Sequence, residues 1–207
     1  MAGEGVFIRM ILSWVFVLIT LSVWLWIRAC HHHFSHLKKN YGDRILDIQR
    51  TLKQRYDLVT ICIDRVRALM LSEKALMVAV LEARSRAMSA LDKLVIDPHN
   101  GQEIVNLNYY ESLLRYNLER LLLLAESHGE PQADEQIAKM RVEFAELKTK
   151  IAAQMILVNE ASAEYNGHLK RFPQNTLAKV LGMKETLALK VEEPKILSKH
   201  SSVDLVA

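Results

Sequence analysis

Residues 137–165, IAKMRVEFAELKTKIAAQMILVNEASAEY, decide the fold class. Apolar side chains fall at Ile137, Met140, Phe144, Leu147, Ile151, Met155, Val158 and Tyr165, a near-heptad spacing held over about eight turns that only a helix provides. Asp134 and Glu135 stand in its first turn, where the positive end of the helix dipole favours acids. Glu135, Lys139 and Glu143, then Glu146 and Lys150, follow i,i+4 spacing on the outer face, each pair worth about 0.2–0.5 kcal/mol. Gly167 weakens the far end and Pro173 stops it.

The same period extends towards the N-terminus. From about Asp43 to Val95 an apolar stripe runs through Ile45, Ile48, Leu52, Val59, Cys62, Val66 and Leu69, then Leu76, Val80, Ala83, Ala87 and Leu91. Only Arg55 interrupts it. Asp97-Pro98-His99-Asn100-Gly101 combines a helix stop with a new start. A second helix is expected over 102–126, with Ile104, Leu107, Leu114, Leu118, Leu121 and Ala125 on one side. The run Leu121 to Leu124 is apolar on more than one face, which predicts contact with two neighbours. Leu177 to Leu189 is expected as a short last helix packing back on the others, and residues 191–207 as a loose polar tail. All four prolines, Pro98, Pro131, Pro173 and Pro194, fall at boundaries drawn from periodicity alone, and such agreement between independent signals marks a foldable sequence.

A different kind of segment precedes the bundle. Residues 10–27, MILSWVFVLITLSVWLWI, hold no charge and span about 27 Å as a helix, close to the ~30 Å hydrocarbon core of a bilayer. Arg9 and Arg28 close the run, and Trp24 and Trp26 lie where amphipathic rings meet headgroups. Ser13, Thr20 and Ser22 return their hydroxyls to the helix backbone. A cleaved secretory signal has a shorter apolar core and a small-residue cleavage site. A lipoprotein signal ending at Cys30 is the sharper rival, but it places a small uncharged residue where this chain has Arg28. The sequence therefore predicts an all-α protein: a transmembrane helix, then an elongated antiparallel bundle of three long helices plus a short C-terminal helix. Its parts are a tail (1–9), the anchor (10–27), a basic, His-rich juxtamembrane segment (28–42), the bundle (43–190) and the loose tail. Arg28, Lys38, Lys39 and Arg44 outnumber Arg9, so the positive-inside rule puts the bundle in the cytoplasm, on a single-pass inner-membrane anchor.

Composition narrows the function. A net charge of +3 lacks the concentrated basic face that nucleic acid requires. Cys30 and Cys62 make no metal or disulfide spacing. His31, His32, His33 and His36 form one cluster; on a helix His32 and His36 share a face, the geometry of a two-histidine metal site. The competing reading is a solvated patch beside anionic headgroups. No Glu has a His three residues on, which removes the carboxylate-bridged di-iron bundle. There is no phosphate-binding glycine loop, His-Glu-x-x-His, Cys-x-x-Cys or nucleophile elbow. His128 and His168 are lone residues near helix ends, read as caps or solvent-facing groups. Arg55 on the apolar stripe reads as half of an ion pair with an acid on a facing helix. No cofactor and no small-molecule substrate is expected.

Three stretches in order resemble the LemA family of bacterial membrane proteins. Residues 52–59, LKQRYDLV, which contain Arg55, Tyr56, Asp57 and Leu58, resemble a signature whose typical form is QLKRRYDLIPNLV. Residues 148–166 resemble a long third helix ending in paired Tyr-Asn motifs, of which Tyr165-Asn166 survives. Residues 169–182, LKRFPQNTLAKVLG, resemble a closing motif with a Phe-Pro step, here Phe172-Pro173. The similarity covers the chain from the anchor to about residue 187. Thr60-Ile61 replaces the family's Pro-Asn, leaving that helix straighter; His128-Gly129-Glu130-Pro131 replaces its Tyr-Pro; the tail past Pro194 has no recognised counterpart. The resemblance implies an N-terminal anchor, an all-α bundle and no established enzymatic activity. MamQ-type relatives serve in building magnetosome membranes, a sub-role for which no residue here argues specifically. The resulting expectation is a non-enzymatic scaffold or interaction module, with the lipid bilayer and protein partners or a second copy as its contacts, met at the apolar edges Leu121–Leu124 and Leu177–Leu189. The alternative is a metal-handling or metal-dependent membrane enzyme using the histidine cluster.

Overall fold

A computed structural model describes residues 2–69, 73–127 and 131–190. Five helices account for most of them: α1 (Ala2–Leu69), α2 (Lys74–Ile96), α3 (Gly101–Glu126), α4 (Pro131–Lys170) and α5 (Gln174–Val180). The first four run up, down, up and down. α1 packs along α4, and α2 packs along α3. The small side chains Ala83, Ala87 and Ala90, all buried on α2, let the α2 and α3 backbones approach closely.

α1 is a single helix of 68 residues, about 100 Å long, with two unlike parts. Met10 and residues 12–27 are exposed, and Thr20 turns its hydroxyl back to the Val17 carbonyl at 2.9 Å. From Cys30 onward one face is buried: Phe34, Leu37, Tyr41, Ile45, Ile48 and Leu52 lead into the main core. This is the one helix among the described residues long and apolar enough to cross a membrane.

The stripe read as one helix over 43–95 is two helices, α1 and α2, folded back on each other. The other breaks in the bundle carry Pro or Gly. Here α1 ends at Leu69 and α2 begins at Lys74, and the sequence between them, Met70-Leu71-Ser72-Glu73, continues the apolar period without a breaker and so gives no punctuation to read. The α2–α3 turn is where Asp97-Pro98 predicts it. Asn100 caps α3, accepting from the Gln102 and Glu103 amides at 3.1 and 3.4 Å, as an N-cap asparagine does. Pro131 opens α4 as its first residue, where a missing N–H costs nothing. The turn residue His128 and the tail 191–207 lie outside the described residues.

Two further expectations are corrected. α5 stops at Val180 instead of running on to Leu189. The Met183 amide bonds the Ala178 carbonyl at 3.0 Å and the Gly182 amide bonds that of Lys179 at 3.2 Å, with Gly182 at φ 64°. This is a Schellman stop, and glycine enters that left-handed conformation without a Cβ penalty. Residues 183–190 then continue as a strap without helix. Of the run Leu121 to Leu124, Leu121 and Leu122 are buried, Leu124 packs against the main core, and only Leu123 is open. The expected edge is therefore largely filled by the protein's own packing.

At the lower end a second, smaller core joins Phe34, Leu37, Tyr165, Leu169 and Ala178, with Met183 packed against it. α5 thus serves as a foot beneath the α2–α3 turn, wedged against α1 and α4.

Candidate functional site

The 52–59 stretch lies where α1 passes between α2 and α3. Arg55 is nearly buried and Glu111, on α3, is more so. The Arg55 guanidinium pairs with one Glu111 carboxylate oxygen, and the Tyr56 hydroxyl donates to the other. Arg84 on α2 donates Nε–H to the Tyr56 carbonyl at 2.7 Å, and its guanidinium lies 3.8 Å from Asp57. Three helices are thus joined at two adjacent residues. Burial raises the Tyr56 phenol well above its ordinary range, opposed by Arg55, so it stays protonated and donates. Burial lowers the Arg55 guanidinium; Tyr56 pushes it up and the like charge of Arg115 pulls it down. Leu58 is buried, whereas the Asp57 side chain is open to water.

The second group of motif residues sits elsewhere. Tyr165 is buried, its ring 4.8 Å from that of His99, which in turn lies 5.4 Å from Tyr41. Arg55 is fourteen residues beyond Tyr41, about 21 Å along α1, so the two motifs do not form one site. Phe172 is 83% exposed, and Pro173 precedes the first turn of α5.

Asn166 holds the strap. Its side-chain amide donates to the Thr186 carbonyl at 2.8 Å and accepts from the Thr186 amide at 2.9 Å. Asn159 does the same to Leu189, at 3.0 and 2.9 Å. From α3, Asn108 donates to the Ala188 carbonyl at 3.3 Å and accepts from the Lys190 amide at 2.9 Å. The Ser162 and Thr186 hydroxyls meet at 2.6 Å. The register follows from geometry. Seven helical residues from Asn159 to Asn166 rise about 10.5 Å, and three extended residues from Thr186 to Leu189 cover about 10 Å. A Cβ on Gly101 would approach Leu187 Cδ1 to 3.3 Å, so the glycine leaves room for the strap.

The histidine cluster is rearranged relative to expectation. His32 and His36 are exposed, and the contact is instead His33 to His168, Nε2 to Nε2 at 3.4 Å with the rings edge-on. His168 is therefore not a lone residue. Burial, His33 and Arg171 all lower its pKa. Among the described residues no group of three His, Cys, Asp or Glu is placed to hold a metal.

Cys62 is buried, and burial pushes its thiol up to about 11. At pH 8 only about one thiol in a thousand is then thiolate, the reactive form. In a Cys30→Ala chain we expect maleimide to label Cys62 only through opening of the bundle, at least ~100-fold slower than in denaturant. Labelling at comparable rates in both conditions would contradict this burial.

Sequence reasoning missed Glu111, Asn108, Asn159, Arg115 and Arg141. One signal was present: Ile104, Leu107, Leu114, Leu118, Leu121 and Ala125 form an a/d series whose vacant place is residue 111. No curated protein matches the chain. The LemA family model matches residues 44–204, so it reaches past Pro194 into the tail where no counterpart was recognised. With an all-helical bundle around the Arg-Tyr-Asp-Leu segment and a match over most of its length, the chain belongs to the LemA family.

Proposed function

We propose that this is a single-pass membrane-anchored protein that presents a helical bundle at the membrane surface as a non-enzymatic interaction module. One observation carries the reading. α1 runs unbroken from an apolar stretch exposed on all sides into a helix whose buried face organises the bundle. Water does not tolerate an exposed apolar cylinder about 27 Å long, whereas a bilayer matches its length. One continuous helix thus joins the anchor to the bundle.

The lower end of the bundle supports the same reading. His168 meets His33, six residues and about 9 Å beyond Ile27. The α4–α5 corner therefore lies at the level where the apolar stretch ends. There Phe172, Val180 and Leu181 are exposed among Lys170, Arg171 and Lys179. Apolar side chains set among cations suit an anionic headgroup layer. The bundle is assigned to the cytoplasmic side of a bacterial inner membrane by the positive-inside bias. Partners meet its outer face, where Ile61, Val142, Ile156 and Leu157 stay open to solvent.

Fractionation tests the anchor. The full chain should remain in the membrane pellet after alkaline carbonate extraction, and a chain begun at Ala29 should move to the supernatant. Full-length protein released by carbonate would end the reading. Reporter fusions at Ala207 should be active only when the reporter is one that works in the cytoplasm.

A further inference from the structure

α3 and α4 touch each other less than either touches its main partner. The strap fills the lower part of the gap between them. Above it a half-open cavity of about 480 Å³ remains, lined by Arg55, Arg115, Arg141 and Lys148 together with Leu118 and Phe144. Arg115 lies seven residues beyond Asn108 on α3, about 10 Å past the strap's last clamp.

The charges in this cavity do not balance. Arg55 is answered by Glu111. Arg141 is answered by Glu119 at 3.1 Å and by Glu126. Arg115 and Lys148 have no ion-pair partner among the described residues. Guanidinium groups favour the oxygens of carboxylate and phosphate. Four cations meet three carboxylates, two of them on Arg141, so the cavity keeps one net positive charge, with Arg115 and Lys148 the groups left to hold an anion. Leu118 and Phe144 offer an apolar wall beside it.

We propose that this cavity binds a soluble phosphate monoester with an apolar body, its phosphate held by Arg115 and Lys148 and its body against Leu118 and Phe144. A lipid headgroup is the other source of such chemistry. Arg55 stands twenty-eight residues beyond Ile27, about 42 Å along α1, out of reach of a headgroup still in its bilayer. That exclusion rests on the proposed anchor; the cavity and its charges do not.

The test is the melting of the full chain in phosphatidylcholine nanodiscs, followed by far-UV circular dichroism, with phenyl phosphate as probe. At about tenfold over its Kd, phenyl phosphate should raise the melting temperature by about 3–6 °C. Arg115→Gln/Lys148→Gln should melt no lower than the parent without the probe, because it removes a like charge facing Arg55, and should lose the shift, and Arg115→Lys should keep part of it. No shift at about 20 mM, an equal shift in the double variant, or an equal shift from sodium chloride at matched ionic strength would overturn the site. An equal shift from inorganic phosphate would overturn the apolar wall. Replacing part of the phosphatidylcholine by phosphatidic acid should leave the response to phenyl phosphate unchanged; competition would overturn the assignment to a soluble ligand. These readouts stand apart from carbonate extraction, so failure of the site and failure of the anchor are distinguishable.

Discussion

Glu111→Ala is expected to cost the folded chain about 3–5 kcal/mol, because it strands two buried groups at once. Arg55 keeps its charge with no acid beside it, and Arg115 then faces it unopposed. The Tyr56 hydroxyl, on a residue 1% exposed, loses its acceptor, which is costly where water cannot replace it. A domain of this size holds about 5–15 kcal/mol in total, so this one carboxylate decides whether the bundle survives mild denaturant. Glu111→Gln separates the two losses. It retains an acceptor for Tyr56 but turns an NH2 group onto the uncompensated Arg55 charge, so about 3 kcal/mol or more is still expected for it.

The informative variant is the double one. An ion pair repays its own desolvation only partly, so replacing both members with apolar groups of similar size is often neutral or better. Arg55→Met/Glu111→Leu should therefore be more stable than Glu111→Ala by at least about 2 kcal/mol, measured as the denaturation midpoint with the slope unchanged. Equal midpoints for the two chains would mean that the pair is not what holds α1 to α3 here.

This network marks how far the sequence could be read. An arginine on an apolar stripe demanded a facing acid, and the vacant a/d place at residue 111 held one. The identity of the partner depends on how helices distant in sequence are set against each other, and a single stripe does not encode that register. The all-helical class and the breaks at Pro98, Pro131 and Pro173 were legible because heptad spacing and proline are local signals. The break between α1 and α2 was not, since Met70-Leu71-Ser72-Glu73 contains nothing that opposes a helix. The cavity cations were invisible for another reason: Arg115, Arg141 and Lys148 read as ordinary outer-face charges until α3 and α4 are placed beside each other.

The strap is the sharpest case of tertiary structure overriding propensity, and it carries the second large effect. Lys184-Glu185-Thr186-Leu187-Ala188-Leu189-Lys190 is built mostly of good helix formers, yet Gly182 ends the helix and asparagine side chains hold the backbone that follows. Asn166→Ala removes both bonds to the backbone of Thr186, a residue 4% exposed, and about 2–3 kcal/mol is expected for leaving a buried N–H and C=O unpaired. Because α3 and α4 meet mainly through the strap at this level, the loss should be local. Amide exchange at Thr186 and Leu189 should speed up by about 30–100-fold while that of Ile48 and Leu91 in the main core changes far less. Asn166→Asp is not a conservative rescue. Its carboxylate still accepts from the Thr186 amide, but it turns a second acceptor onto the Thr186 carbonyl, so it should recover no more than half of the loss. Unchanged exchange at Thr186 in Asn166→Ala would show that Asn159, Asn108, Ser162 and the burial of Leu189 seat the strap without it, and the two bonds of Asn166 to the Thr186 backbone would then carry no energy.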